Sequence, residues 1–151
     1  MKEKHIIGWA EYLDIPDWDI QRIKAKVDTG ARTSALHVNN LKELDGGQVQ
    51  FDVVYSHKPP YETKTVTAKV LKWAKVRSST GEYRKRCFVE ATISLGGVTK
   101  KIEITLVCRK KMLFRMLLGR KALEKDFLVD VTKRKALSKR SPRKKKKLTD
   151  S

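Results

Sequence analysis

The chain has 151 residues, 40% hydrophobic and 34% charged, with a formal net charge of +18. That is one domain's worth of sequence, with enough apolar residues for a core. No apolar run approaches the roughly 20 residues of a membrane helix, and the charged start MKEKHIIGWAEY is unlike a signal peptide, so a cytoplasmic, non-membrane protein is expected. The charge is unevenly placed: Lys133 to Lys147 contains ten Lys or Arg and no acid, leaving +8 for everything else. Such a balance favours acidic partners.

Period-2 alternation dominates the chain. Ile23, Ala25 and Val27 alternate with Arg22, Lys24 and Lys26, and Val49, Phe51 and Val53 with Gln48, Gln50 and Asp52. Pro59-Pro60 and Ser78-Ser79-Thr80-Gly81 mark loops, and Gly46-Gly47 is a further turn signal. The run from Cys87 to Leu95 and the run from Ile102 to Leu106 flank Gly96-Gly97, which reads as a hairpin. Cys87 and Cys108 lie in apolar stretches and are expected to be reduced core residues. One short helix is predicted over Arg120 to Asp126. After Val131 the apolar pattern stops. The expectation is an all-β domain over 1–132, closed or sandwich-like with roughly seven to nine strands, and a disordered basic tail over 133–151.

The informative stretch is Lys24 to His37, KAKVDTGARTSALH. A strand ends there in Asp28-Thr29-Gly30, a sequence suited to a tight loop that aims backbone N–H groups and the Thr hydroxyl at the carboxylate. Taken alone, the tripeptide also fits an ordinary turn. About ninety residues later Met116-Leu117-Leu118-Gly119-Arg120 reads as an apolar strand ending in Gly-Arg.

Together these segments resemble the retropepsins, which pair an Asp-Thr-Gly-Ala loop with a later apolar strand ending in Gly-Arg. The longer match, from about residue 6 to 131, is to a bacterial retropepsin-like aspartic protease family, also labelled ATP-dependent zinc protease and associated with RimK-type glutamate ligases. Its pattern resembles Ile7-Gly8-Trp9, Ala25 to His37, Val76 to Ser79, Phe114 to Arg120 and Phe127 to Asp130. The resemblance implies an acid-protease barrel with Asp28 as catalytic carboxylate, Thr29, Gly30 and Ala31 as its supporting loop, and Leu117, Leu118, Gly119 and Arg120 as the second motif. With one such triplet per chain, an aspartic dyad requires a homodimer. Viral retropepsins carry an Asp where this chain has Arg32, so the ion pair between that position and the Gly-Arg arginine is not available. Arg32 is instead expected to bind acidic substrate groups, with Ser78, Ser79, Thr80 and Gly81 as the flap and the segment Tyr55 to Thr63 as second choice.

Neither zinc nor ATP is supported by a motif: the histidines His5, His37 and His57 form no HExxH, there is no phosphate-binding GxxxxGK[ST], and no cofactor is expected. The expected partners are an acidic peptide or protein substrate, a second copy of the chain, and through the family a glutamate ligase or the ribosome. The tail is expected to add nonspecific RNA affinity, although no aromatic residue interleaves it. The competing reading is a noncatalytic peptide-, ribosome- or RNA-binding module on the same fold.

Overall fold

A computed structural model describes residues 3–56, 58–77, 81–108 and 114–136. Among them the alternating segments form eleven strands: β1 (His5–Ile7), β2 (Ala10–Ile15), β3 (Ile20–Val27), β4 (Ser34–His37), β5 (Asn39–Leu44), β6 (Gln48–Val54), β7 (Thr63–Arg77), β8 (Tyr83–Leu95), β9 (Val98–Val107), β10 (Met116–Leu118) and β11 (Phe127–Val129). The strands beyond the expected number include β1 and β11, each of three residues and too short to show alternation. The helix, α1, is also shorter than expected, covering Arg120–Leu123, because Glu124 turns extended and Phe127 must enter β11.

Six strands pair in the order β2-β3-β10-β4-β9-β8, and a contact between Asp14 of β2 and Ser94 of β8 closes them into a barrel. Closure removes sheet edges that would otherwise expose unpaired backbone. Strands β7, β6 and β5 continue the sheet outward from β8. The longest pairing, β8 with β9, turns at Gly96 and Gly97, both left-handed (φ 55° and 85°), as a two-residue hairpin turn demands. Leu13, Ile23, Leu36, Val89, Ile93, Ile104, Met116 and Leu118 fill the core. Trp18 meets Phe51 edge-on with ring centroids 5.4 Å apart, joining the barrel to the β5–β7 extension.

The ordered domain runs past the boundary expected after residue 132. Lys133 accepts a hydrogen bond from Trp9 N (2.8 Å), and Lys135 N donates to the Ala10 carbonyl (2.8 Å). Glu11, fully buried, accepts from Gly8 N and Ala136 N on one carboxylate oxygen, each at 2.7 Å. Gly8 permits this approach, since a Cβ there would lie 2.4 Å from the Lys133 carbonyl oxygen. Residues 133–136 therefore form a strap across the start of β2. Its backbone hydrogen bonds replace the apolar pattern that the sequence lacks. The remainder of the expected tail lies outside the described residues.

Candidate active site

Strand β10 is the element that builds the site. It runs parallel to β3, with Met116 opposite Ala25 and Leu118 opposite Val27, and antiparallel to β4, with Leu117 opposite Ala35. The loop between β3 and β4 is thus straddled by a strand nearly ninety residues distant. At the end of β3, Asp28 N donates to the Leu118 carbonyl at 2.9 Å. Asp28 is half-buried, whereas Thr29 and Gly30 are exposed at the loop tip. Gly30 N donates to Asp28 Oδ1 (3.1 Å), and Ala31 N returns to the Asp28 carbonyl (3.2 Å). The expected backbone donor to the carboxylate is therefore Gly30's N–H. Thr29 contributes its carbonyl to Arg120 instead.

The brace between the two motifs does not need an ion pair. Arg120 Nη1 donates to the Thr29 carbonyl at 3.0 Å, Arg120 N to the Ala31 carbonyl at 2.9 Å, and Lys121 N to the Arg32 carbonyl at 3.0 Å. Backbone carbonyls take the place of the carboxylate that Arg32 displaces. Gly119 lies where the two segments cross: a Cβ would sit 2.5 Å from the Thr33 carbonyl oxygen and 2.6 Å from its carbon. Gly119 N donates to the buried Ser34 Oγ at 3.2 Å. Ser34 received no role from the sequence. Its only signal was a hydroxyl inside the matched segment, and the partner that gives it meaning is 85 residues away.

Arg32 is exposed and turns toward an open cleft of about 600 Å³ beside the loop. Lys72, Lys101 and Lys121 line the same cleft with Phe88, and Glu103 is the one carboxylate among its lining residues. Lys72 pairs with Glu103 at 3.1 Å and Lys121 with Glu124 at 3.7 Å, so Arg32 and Lys101 leave the cleft positive. Lys72 and Phe88 belong to β7 and β8, whose hairpin carries the first flap candidate. Arg77 pairs with Tyr83 near its tip, and Gly81 is exposed and left-handed at φ 88°. Ser78, Ser79 and Thr80 lie outside the described residues. The second candidate, Tyr55 to Thr63, connects β6 to β7, and its Tyr61 ring lies under Arg115 at 5.5 Å.

Other titratable groups stand apart from this loop. His37 is buried on β4, and its backbone N–H donates to the Arg115 carbonyl. Burial, then the nearby Arg115 charge, holds its pKa below the usual histidine value. Cys87 is a buried free thiol, pushed up to about 11 by burial and by Glu43. Cys108 corrects the expectation of two core cysteines: it is exposed, because β9 ends one residue earlier. Among the described residues no three His, Cys, Asp or Glu side chains gather as a metal site would require. No helix among them is long and apolar enough to cross a membrane.

A closed six-stranded barrel, in which a Gly-Arg strand straddles an Asp-Thr-Gly-Ala loop, defines a protein of the retropepsin-like fold. The chain belongs to the RimB-like family, described as retropepsin-like aspartic endopeptidase RimB, whose model matches residues 6–140. It is 36% identical over 130 residues to a protein named "Probable alpha-L-glutamate ligase" from Shewanella halifaxensis, and 35% over 133 residues to one of the same name from Desulfotalea psychrophila. Each alignment takes in 84% of this chain and 28% of the relative, so the chain spans little more than a quarter of those proteins. Among solved structures it resembles a protein of unknown function, Lpg0085, from Legionella pneumophila. The TM-score is 0.75 at 25% identity, covering 90% of this chain and 100% of that one.

Proposed function

We propose that the chain is one subunit of an aspartic endopeptidase in which Asp28 and the partner's Asp28 form the catalytic dyad. The observation that carries this reading is the placement of Asp28: a half-buried carboxylate at a strand end, pinned through its own N–H by Leu118 and beside a loop tip open to a neighbour. Two such carboxylates a few ångströms apart share one proton, because like charges so close do not both ionise. The ionised member takes a proton from a bound water, which attacks the peptide carbonyl. The protonated member donates to the carbonyl oxygen, and the collapsing intermediate releases the amine. The pair titrates as a unit.

The dimer reading has support from a second element of the fold. β1 and β11 pair in parallel, and the register partners Ile6 and Leu128 are 51% and 54% exposed, an apolar strip suited to cover by a second copy. Substrate choice follows from the cleft beside Arg32. Its lysines favour acidic side chains, which fits glutamate-rich peptide, and the relatives named as glutamate ligases suggest such a ligase or its glutamate-bearing product as the setting.

The test is cleavage of neutral and glutamate-rich peptides by wild-type and Asp28→Asn protein, with oligomeric state measured at the same concentration. The variant should lose turnover yet keep peptide affinity, and Arg32→Asp should lower the preference for acidic over neutral peptide. Wild-type protein that binds peptide without cutting it, as a dimer, would leave a noncatalytic binding module.

A further inference from the structure

A second pocket, of about 510 Å³, opens between the start of β3 and the junction of β6 with β7. Arg22 in its wall is about 20 Å along β3 from Asp28, so the two sites lie at opposite ends of that strand. Asp19, Gln21 and Arg22 line one side, and Tyr55, Ser56, Glu62 and Lys64 the other. Asp19 and Arg22 are both left-handed, at φ 53° and 57°, a conformation that is uncommon outside glycine and collects at functional sites. Hydrogen bonds fix the two sides. Lys64 Nζ donates to Asp19 Oδ2 at 2.9 Å, Glu62 N to Ser56 Oγ at 2.7 Å, and Tyr55 N to the Glu62 carbonyl at 3.1 Å.

The chain carries +18 overall, yet this pocket is balanced. Its lining holds two cations, Arg22 and Lys64, and two carboxylates, Asp19 and Glu62. Two further ions flank Arg22 and offset each other: Asp14, which accepts from its backbone N–H at 2.9 Å, and Lys135, which shares the Tyr12 ring at 5.0 Å. The lining ions keep capacity for a ligand. Lys64 has three donors, and its bonds to Asp19, through Oδ2 and the carbonyl, use two. The Arg22 guanidinium lies against the Tyr12 ring at 4.3 Å, which engages its face and leaves the in-plane N–H groups for an acceptor. Burial, then the adjacent Glu62 charge and the hydrogen bond to it, raises the Tyr55 pKa, and a carboxylate accepting that one phenol can accept more.

We propose that this pocket binds a small zwitterion, a free α-amino acid, with its ammonium between Asp19 and Glu62 and its carboxylate on Arg22 and Lys64. A polyanion would meet Asp19 and Glu62, and a simple cation would meet Arg22 and Lys64. A molecule carrying both signs finds a partner for each. The Gln21 amide is left to contact the ligand's side chain, as is Ser56, whose oxygen accepts from Glu62 N while its hydroxyl proton remains to donate. The volume falls in the range of small-molecule sites. An occupant here does not touch Asp28, so the inference stands apart from the protease reading.

The test titrates the whole chain, isotope-labelled for NMR, with L-glutamine, L-glutamate and L-alanine. Glutarate and n-butylamine, which carry a single sign of charge, run beside them. The amino acids should shift the backbone amides of Gln21, Arg22, Ser56, Glu62 and Lys64 with a Kd on the order of 1 mM, and the single-sign probes should leave those amides in place. Glu62→Gln keeps an acceptor for Tyr55 and removes the charge, while Arg22→Gln removes the guanidinium. Each should weaken amino-acid binding about tenfold, the worth of one charge-assisted hydrogen bond. Urea midpoints show that each variant is folded, and where Arg22→Gln is not, Lys64→Gln gives the same reading from β7. The proposal is overturned by still amides at about twenty times that Kd, by equal shifts from glutarate or n-butylamine, or by unchanged affinity in the folded variants. Shifts confined to Arg32, Lys101 and Lys121 would also overturn it, by assigning the binding to the cleft.

Discussion

Replacing Gly119 with alanine tests the crossing on which the whole site rests. The added carbon would stand 2.5 Å from the Thr33 carbonyl oxygen, where ordinary contact begins near 3.4 Å, so β10 and the loop must part by almost 1 Å. The obstacle is backbone, which gives far less readily than a side-chain tip. Separation loosens three hydrogen bonds: Gly119 N to Ser34 Oγ, Arg120 N to the Ala31 carbonyl, and Lys121 N to the Arg32 carbonyl. At about 1 kcal/mol net for each, the loss is about 3 kcal/mol, in the upper part of the range for overpacked sites. For a domain of this size that corresponds to roughly 9 °C in Tm. Urea unfolding followed by tryptophan fluorescence measures it, with an unchanged m-value as the sign that only stability moved. Gly46→Ala is the comparison. That glycine is left-handed at φ 80° but meets nothing within 4 Å, so its alanine variant should lose only the conformational cost, about 1 to 2 kcal/mol. A Gly119→Ala loss no larger than that of Gly46→Ala would refute the tight crossing.

Two further outcomes follow from the buried titratable groups. His37 is held below its usual pKa, so the folded state takes up its proton later than the unfolded chain as pH falls. Stability is then insensitive to this group above about pH 6.5, falls as pH drops from there toward the depressed folded value, and levels off below it, with a slope of at most about 1.4 kcal/mol per pH unit. Denaturation midpoints of wild type and His37→Gln across pH 5 to 8 should differ in that slope, and parallel curves would contradict it. The thiols should separate in reactivity: at pH 8 iodoacetamide should modify Cys108 in the folded protein and reach Cys87 only on unfolding, as resolved by peptide mass mapping. Equal rates at the two sites would show that Cys87 is not shielded.

Much of this architecture could be read in the chain. The alternation of Ile23, Ala25 and Val27 with basic residues, and the Gly96-Gly97 turn, are local consequences of the pleat, and they specify strands and a hairpin without reference to the rest of the molecule. The Asp28-Thr29-Gly30-Ala31 and Leu117-Leu118-Gly119-Arg120 segments were legible through resemblance. The strand patterns on their own would have selected only the β class.

Tertiary structure alone decided which distant atoms meet. Nothing near Arg120 announces that its guanidinium ends on the Thr29 carbonyl, nor near Ser34 that its hydroxyl receives Gly119. Glu11 looks like a solvated strand residue until Ala136, 125 residues on, arrives to share its carboxylate. The strap of residues 133–136 is basic and shows no apolar period. It is ordered through backbone hydrogen bonds and ring contacts that leave no trace in hydropathy. Periodicity records which face of a strand is wet, a property of neighbours along the chain. Contacts closed across ninety or more residues are set by how the barrel shuts, and that depends on every strand at once.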